Sequence, residues 1–135
     1  MLVVGVLGGL AYAGLDSGQA GTPVAPAAQA GAPAIRIIDG DTFWLEGEKI
    51  RVADIDTPEL RGRCAEEKAL AVRATERMEA LLNEGPFELH RVGRDEDRYG
   101  RKLRVVTREG RSLGDRLVAE GLARTWTGRR EPWCA

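Results

Sequence analysis

The stretch Ile35–Glu59, IRIIDGDTFWLEGEKIRVADIDTPE, constrains the fold of this chain more than any other. Its apolar residues come in short runs, each closed by a turn signal. Asp39-Gly40-Asp41 follows Ile35, Ile37 and Ile38; Glu46-Gly47-Glu48 follows Phe43, Trp44 and Leu45; Thr57-Pro58 follows Ile50, Val52 and Ile55. Short β-prone runs punctuated in this way predict three antiparallel strands, at 35–38, 42–45 and 49–56. Pro58 ends the third, because proline donates nothing to a ladder and restrains the residue before it. The strand ends carry Asp41, Asp56 and Glu59, and the third strand carries Arg51. Carboxylates gathered beside a guanidinium suit a hard cation and a phosphate. Arg51 and Asp56 are five residues apart, so in a regular strand they point to opposite faces, and only a bend near Ala53-Asp54 would bring them together.

Beyond a short basic loop with Arg61 and Arg63, a helix is expected over 66–82, where Leu70, Ala74, Met78 and Leu81 share one face. Glu66 and Glu67 suit its positive N-terminal end, and Gly85-Pro86 suits its exit. A fourth strand at 87–92, a charged loop at 93–100 and a fifth strand at 102–107 follow. A short helix at 112–120, with Ser112 as N-cap, precedes an extended stretch at 122–126. Five short strands with a helix between the third and fourth, and a short helix after the fifth, predict an α+β chain built on a small barrel of the OB type. His90, alone on a strand, reads as structural, and Phe43 and Trp44 read as barrel packing.

Residues 1–15 form an uncharged apolar run, shorter than a spanning helix needs, which reads as a signal peptide or N-terminal anchor despite lacking a basic start. Residues 16–34, rich in Ala, Gly and Pro, read as a flexible linker, and residues 35–135 as the folded domain. The expectation is an exported protein: periplasmic, secreted, or held at a membrane through residues 1–15. If that run is not a signal, the protein is cytoplasmic. Asp16 is the one charged residue before Ile35, so 20 acidic and 20 basic residues face each other over the rest. A neutral balance does not support wrapping of nucleic acid by bulk charge, so any phosphate binding must come from a local patch. Nothing in the sequence signals an oligomer.

Phosphodiester hydrolysis needs an aimed water, stabilisation of transition-state charge and accommodation of the leaving oxygen. Asp41 and Asp56 can hold one hard cation through oxygen, and the absence of nearby Cys or His disfavours zinc. Glu59 is placed to orient or deprotonate a water, and Arg51 and Arg101 to fork onto a phosphate. Arg129 and Arg130 read as a solvated tail.

Asp39-Gly40-Asp41-Thr42, Arg51, Asp56-Thr57-Pro58-Glu59 and Asp97-Arg98-Tyr99-Gly100-Arg101, in this order and with the five- and eight-residue steps from Arg51 to Asp56 and Glu59, resemble the motif set of the staphylococcal (micrococcal) nuclease family. The resemblance runs from about Ile35 to Ala123. It implies an OB-fold and calcium-dependent cleavage of single-stranded or frayed DNA and RNA, by in-line attack of water that leaves 3′-phosphate ends. It implies Asp41, Asp56 and Thr57 (through its carbonyl) as metal ligands, Glu59, Arg51 and Arg101 as catalytic residues, and Tyr99, with Arg98 beside it, at the substrate. The chain departs from the family in a shorter basic loop after Thr-Pro-Glu. It has Trp126 and Thr127 where the staphylococcal enzyme has two tyrosines, and that enzyme's third helix has no counterpart up to Ala135. A catalytically silent OB-type binding module, or a surface domain with a vestigial site, remains the alternative. Cys64 and Cys134 fit no zinc motif; they would form one disulfide in an exported protein and stay free thiols in a reducing compartment.

Overall fold

The computed structural model describes residues 33–135. The signal or anchor reading of residues 1–15 and nearly all of the linker reading lie outside the described residues. Among those described, no helix is long and apolar enough to cross a membrane.

Among the described residues eight strands and two helices follow in the order β1 (Ile35–Asp39), β2 (Thr42–Leu45), β3 (Glu48–Val52), β4 (Ile55–Asp56), α1 (Ala65–Leu82), β5 (Glu88–Glu96), β6 (Lys102–Arg108), β7 (Arg111–Ser112), α2 (Leu113–Ala119) and β8 (Arg124–Thr125). The main sheet runs β1-β2-β3-β6-β5, with β7 added to β6, and β4 pairs with β8 in a separate two-stranded ribbon. All pairings are antiparallel except β3 with β6. This is the strand-dominated α+β arrangement that the run of short strands predicts. It is an OB-type sheet whose edge strands β1 and β5 do not pair to close a barrel.

Two strand boundaries differ from expectation. The predicted third strand is two pieces, because the chain turns at Ala53-Asp54. Contacts distant in sequence hold that turn: Ala53 N–H donates to the Arg104 carbonyl (2.8 Å), and the Asp54 carbonyl accepts from Trp126 N–H (2.9 Å). The Asp54 carboxylate accepts from Ser112 Oγ at 2.7 Å. The fourth strand runs on to Glu96, with a register shift between Arg91 and Glu96, so the first half of the expected 93–100 loop is a solvent-facing ribbon.

Phe43, Ile50, Val52, Ile55 and Val106 from the sheet pack against Ala74, Met78 and Leu81 of α1 and Leu113 and Leu117 of α2. Phe87 meets Phe43 edge to face, with ring centroids 6.2 Å apart. Trp44 is not in this core. It lies half-buried on the outer face between Arg36 and Lys49, whose cations sit 5.5 and 5.2 Å from its ring. Its alternation with the buried Phe43 gives the reason: successive strand residues face opposite sides. His90 bonds Thr107 through Nε2 at 2.8 Å. Ser112 caps α2 by accepting from Asp115 N–H at 3.0 Å.

The turn between β1 and β2 is pressed against the chain after β4. A Cβ on Gly40 would come within 2.9 Å of Thr57 Cγ2 and 3.0 Å of Ala74 Cβ, so only glycine lets Asp41 approach Thr57 this closely. Gly40→Ala is expected to destabilise the fold by about 1–3 kcal/mol through this overpacking. Ser112→Ala should remove the α2 cap at about 1 kcal/mol. Urea unfolding of each variant checks both values.

Candidate functional site

Neighbouring strands deliver the predicted charged residues to one end of the sheet. Asp41 immediately precedes β2, Arg51 lies in β3 opposite Thr42, and Arg101 immediately precedes β6. Thr42 pairs with Arg51 in the antiparallel register, and Arg51 pairs with Leu103 in the parallel one. Arg51 therefore sits on the central strand, with β2 and β6 on either side.

Arg51 is 8 % exposed, and a buried guanidinium demands partners. Its Nη1 donates to the carbonyls of Val52 and Ile55, the latter at 2.9 Å, and its Nη2 lies 3.5 Å from Asp41 Oδ2. One guanidinium thus spans the Ala53-Asp54 turn. This turn is the bend that the five-residue spacing requires, and beyond it Asp56 comes to the side of the sheet where Asp41 lies. Asp41 is itself buried: its Oδ1 accepts from Thr42 Oγ1 (3.0 Å) and its Oδ2 from Thr57 N–H (3.3 Å). The backbone of Thr57 thereby ties Asp41 to the segment that carries Asp56.

Asp56 is 3 % exposed. Its Oδ2 accepts from Trp133 Nε1 at 3.4 Å. Its Oδ1 lies 3.2 Å from Arg130 Nη2 but receives no well-directed hydrogen bond. Burial pushes the Asp56 carboxyl up. Arg130 opposes that push, and Asp41 adds to it. Asp39, a turn residue from sequence, joins the cluster: its Oδ1 accepts from Asp41 N–H at 3.2 Å. Burial and the Asp41 charge push its carboxyl up to about 7, with Glu59 contributing. The oxygen donors of Asp41 and Asp56, the Asp56 oxygen without a well-directed hydrogen bond and the burial and mutual repulsion that push the Asp39 and Asp56 carboxyls up fit a hard divalent cation.

Glu59 is half exposed at the rim, and its carboxylate pairs with Arg130. Its backbone is held by Glu67, a residue that from sequence is only a favourable charge at the start of α1. The buried Glu67 carboxylate accepts from Glu59 N–H and Arg63 N–H, both at 3.0 Å. These backbone donors hold its carboxyl below the ordinary range. Gly62 lies over it so closely that a Cβ there would come within 2.4 Å of Glu67 Cδ.

Arg101 donates through Nε to Asp97 Oδ2 at 2.6 Å, and its Nη1 reaches Thr42 Oγ1 at 3.5 Å. Burial raises the Asp97 carboxyl, but donors from Arg101 and Tyr99 outweigh it and leave the group low. Tyr99 is exposed, with Arg101 5.4 Å from its ring centre. Arg98 lies over the same ring and donates to its hydroxyl at 2.9 Å, on the exposed turn and away from the acidic cluster.

In the segment after β8 the sequence reading anticipated the disulfide but missed Arg130, read as solvated tail, and Trp133. Cys64 and Cys134 form a disulfide across a separation of 70 residues. The crosslink folds this segment onto the start of α1 and brings Arg130 and Trp133 to Asp56 and Glu59. Arg124, opposite Asp56 in the β4–β8 ribbon, stacks on Trp133 at 3.7 Å and donates to the Glu131 carbonyl at 3.2 Å. Arg129, by contrast, is solvated and, among the described residues, pairs only with Glu131. The available signal was the pairing of the two cysteines, since Cys64 lies five residues after Glu59 and Arg130 four before Cys134.

Comparison with known proteins follows the same residues. A family profile described as staphylococcal nuclease homologue matches residues 49–133. Endonuclease YncB of Bacillus subtilis (strain 168) is 36 % identical over 94 residues, covering 66 % of this chain and 44 % of that protein. The SPbeta prophage-derived endonuclease YokF of the same strain is 34 % identical over 94 residues, covering 66 % and 32 %. Thermonuclease of Staphylococcus hyicus is 30 % identical over 94 residues, covering 67 % and 56 %. The match therefore spans between about a third and just over half of these relatives' own lengths. The profile match over most of the folded unit shows that the chain belongs to the staphylococcal nuclease homologue family.

Proposed function

We propose that the chain is a cation-dependent nuclease that hydrolyses phosphodiester bonds of DNA and RNA. The observation that carries this reading is the convergence of Asp41, Asp56 and Glu59 with Arg51 and Arg101 at one end of the sheet. The names of the relatives, endonuclease and thermonuclease, support the same reaction class. An oxygen-only donor set suits a hard cation, and calcium is the proposed one, as in the family the motifs resemble. Single-stranded or frayed nucleic acid is the proposed substrate and 3′-phosphate ends the product, as in the family the motifs resemble. The disulfide suits an exported protein, since such bonds persist in oxidising compartments.

Each side chain has a role that its environment permits. A cation held by Asp41 and Asp56 would supply positive charge to the phosphate oxygens. Arg51 is fixed by two carbonyls and Asp41, so its guanidinium is preorganised and loses little freedom when phosphate arrives. Arg101 is aimed by Asp97 in the same way, with Nη1 directed to the cluster. Glu59, half exposed and unprotected from water, accepts the proton of the attacking water or orients it. Tyr99 and Arg98 extend the surface beyond Arg101 along which a nucleotide would lie.

Cleavage of denatured DNA with calcium should be abolished by a chelator and fall at least about 100-fold in Glu59→Ala. Arg101→Lys should lose activity on a similar scale, because lysine cannot fork onto phosphate. Binding of the DNA by a folded wild type without cleavage would instead establish a silent binding module. The cluster also fixes a pH dependence. Asp39 is raised from the ordinary carboxylate range, about 4, to about 7, and Asp56 is shifted the same way, so the folded state holds the extra protons. The stabilising effect of Asp39 is complete below about pH 4 and is lost as pH rises through 7, and Asp56 acts in the same direction. Urea midpoints of the metal-free protein should show this decline between pH 4 and 7, and Asp39→Asn should flatten it.

A further inference from the structure

Arg130 makes the contact least expected of an exposed arginine. Half its side chain is in solvent, yet its Nη2 lies 3.2 Å from Asp56 Oδ1 and pairs with Glu59. Asp56 is 4 % exposed at its side chain, so this is not an ion pair in open water. The other arginines of the site have partners of their own: Arg51 has two carbonyls and Asp41, and Arg101 has Asp97. Among the described residues, Arg130 is the cation that rests on both Asp56, a proposed cation ligand, and Glu59, the proposed base. Three features of the same segment keep it there: the disulfide at Cys134, Trp133 Nε1 on Asp56 Oδ2, and Arg124 bonded to the Glu131 carbonyl.

We propose that Arg130, delivered by the Cys64–Cys134 crosslink, is a tethered cation that sets the affinity of the acidic cluster for its metal. The inference rests on the reading of Asp41 and Asp56 as cation ligands. A guanidinium a few ångströms from a divalent ion repels it, and Arg130 Nη2 lies 3.2 Å from the Asp56 oxygen that the ion would use. The chain thereby raises the cation concentration needed to fill the site, and the strength of that threshold depends on one side chain and one crosslink. Arg129 serves as the internal comparison: it carries the same charge one residue away but pairs with Glu131 and is 80 % exposed.

The test is calorimetric titration of calcium into metal-free protein, with no substrate present. Wild type should bind one ion, and Asp56→Asn should abolish binding. Arg130→Gln should bind about tenfold more tightly, by the size of a screened charge at this range. Arg130→Lys, which keeps the charge, should stay within about threefold of wild type on the same argument, and Arg129→Gln should be unchanged. In Cys64→Ser/Cys134→Ser the affinity should rise as in Arg130→Gln, and adding Arg130→Gln to that background should change it little, because the charge has already left. A full Arg130→Gln effect in that background would overturn delivery by the crosslink. If that variant does not fold, the oxidised Arg130→Gln and Arg130→Lys pair decides the matter. Unchanged or weaker binding by Arg130→Gln, while wild type binds and Asp56→Asn does not, overturns this inference and leaves the cation site standing. No binding by either wild type or Arg130→Gln overturns the cation site and this inference together.

Discussion

The site depends on how one buried guanidinium is satisfied. Arg51 lies on the central strand of the sheet, where an unpaired charge would be untenable. It finds partners by reaching across a turn, to the carbonyls of Val52 and Ile55, and then to Asp41. The strand must break for those carbonyls to face it. Once the strand breaks, Asp56 and Thr57 come to the same side, and Thr57 N–H binds Asp41. Arg51 thus both joins the proposed phosphate site and holds in shape the turn that assembles it. Substitution there would confound loss of chemistry with loss of structure, which makes Glu59 and Arg101 the cleaner probes.

Around this centre the fold spends polar groups on order at the rim. Glu67 gives both carboxylate oxygens to backbone donors, including the N–H of Glu59, and so fixes the loop that carries the proposed base. Asp97 does the corresponding work for Arg101. Neither acid needs to touch substrate. Their effect is preorganisation: the charged groups stand where a phosphate would need them, and less reorganisation accompanies its arrival. The disulfide adds a second restraint. In the chain-entropy account, closing a loop of this length contributes about 4 kcal/mol, and here the loop it closes brings Arg130 and Trp133 to the cluster.

Much of this was legible in the residues. Turn signals at Asp39-Gly40-Asp41 and Glu46-Gly47-Glu48, the helical face of Leu70, Ala74, Met78 and Leu81, and the Ser112 cap report local preferences, and each appears where expected. Local preference failed where distant contacts decide. Asp54 is held in its turn by Ser112 and Trp126, far along the chain, so no periodicity in 49–56 marks the break. The extension of β5 to Glu96 likewise answers to its partner β6 and to ion pairs of Asp95 with Lys102 and Arg104. Trp44 has the composition of a core residue, but the pleat turns it outward.

By itself, the sequence determined the strand-turn pattern, the helix between the sheet's two halves and the acids and arginines at their spacing, because turn chemistry, side-chain periodicity and capping act within a few residues. Only the tertiary structure decided which carboxylates share a cluster, that Asp39 belongs to it, that Glu67 holds the Glu59 loop and that Arg130 rests on Asp56 and Glu59. Those outcomes follow from burial and from a crosslink spanning 70 residues. Both depend on what the rest of the chain places nearby, and neighbours in sequence carry no record of that.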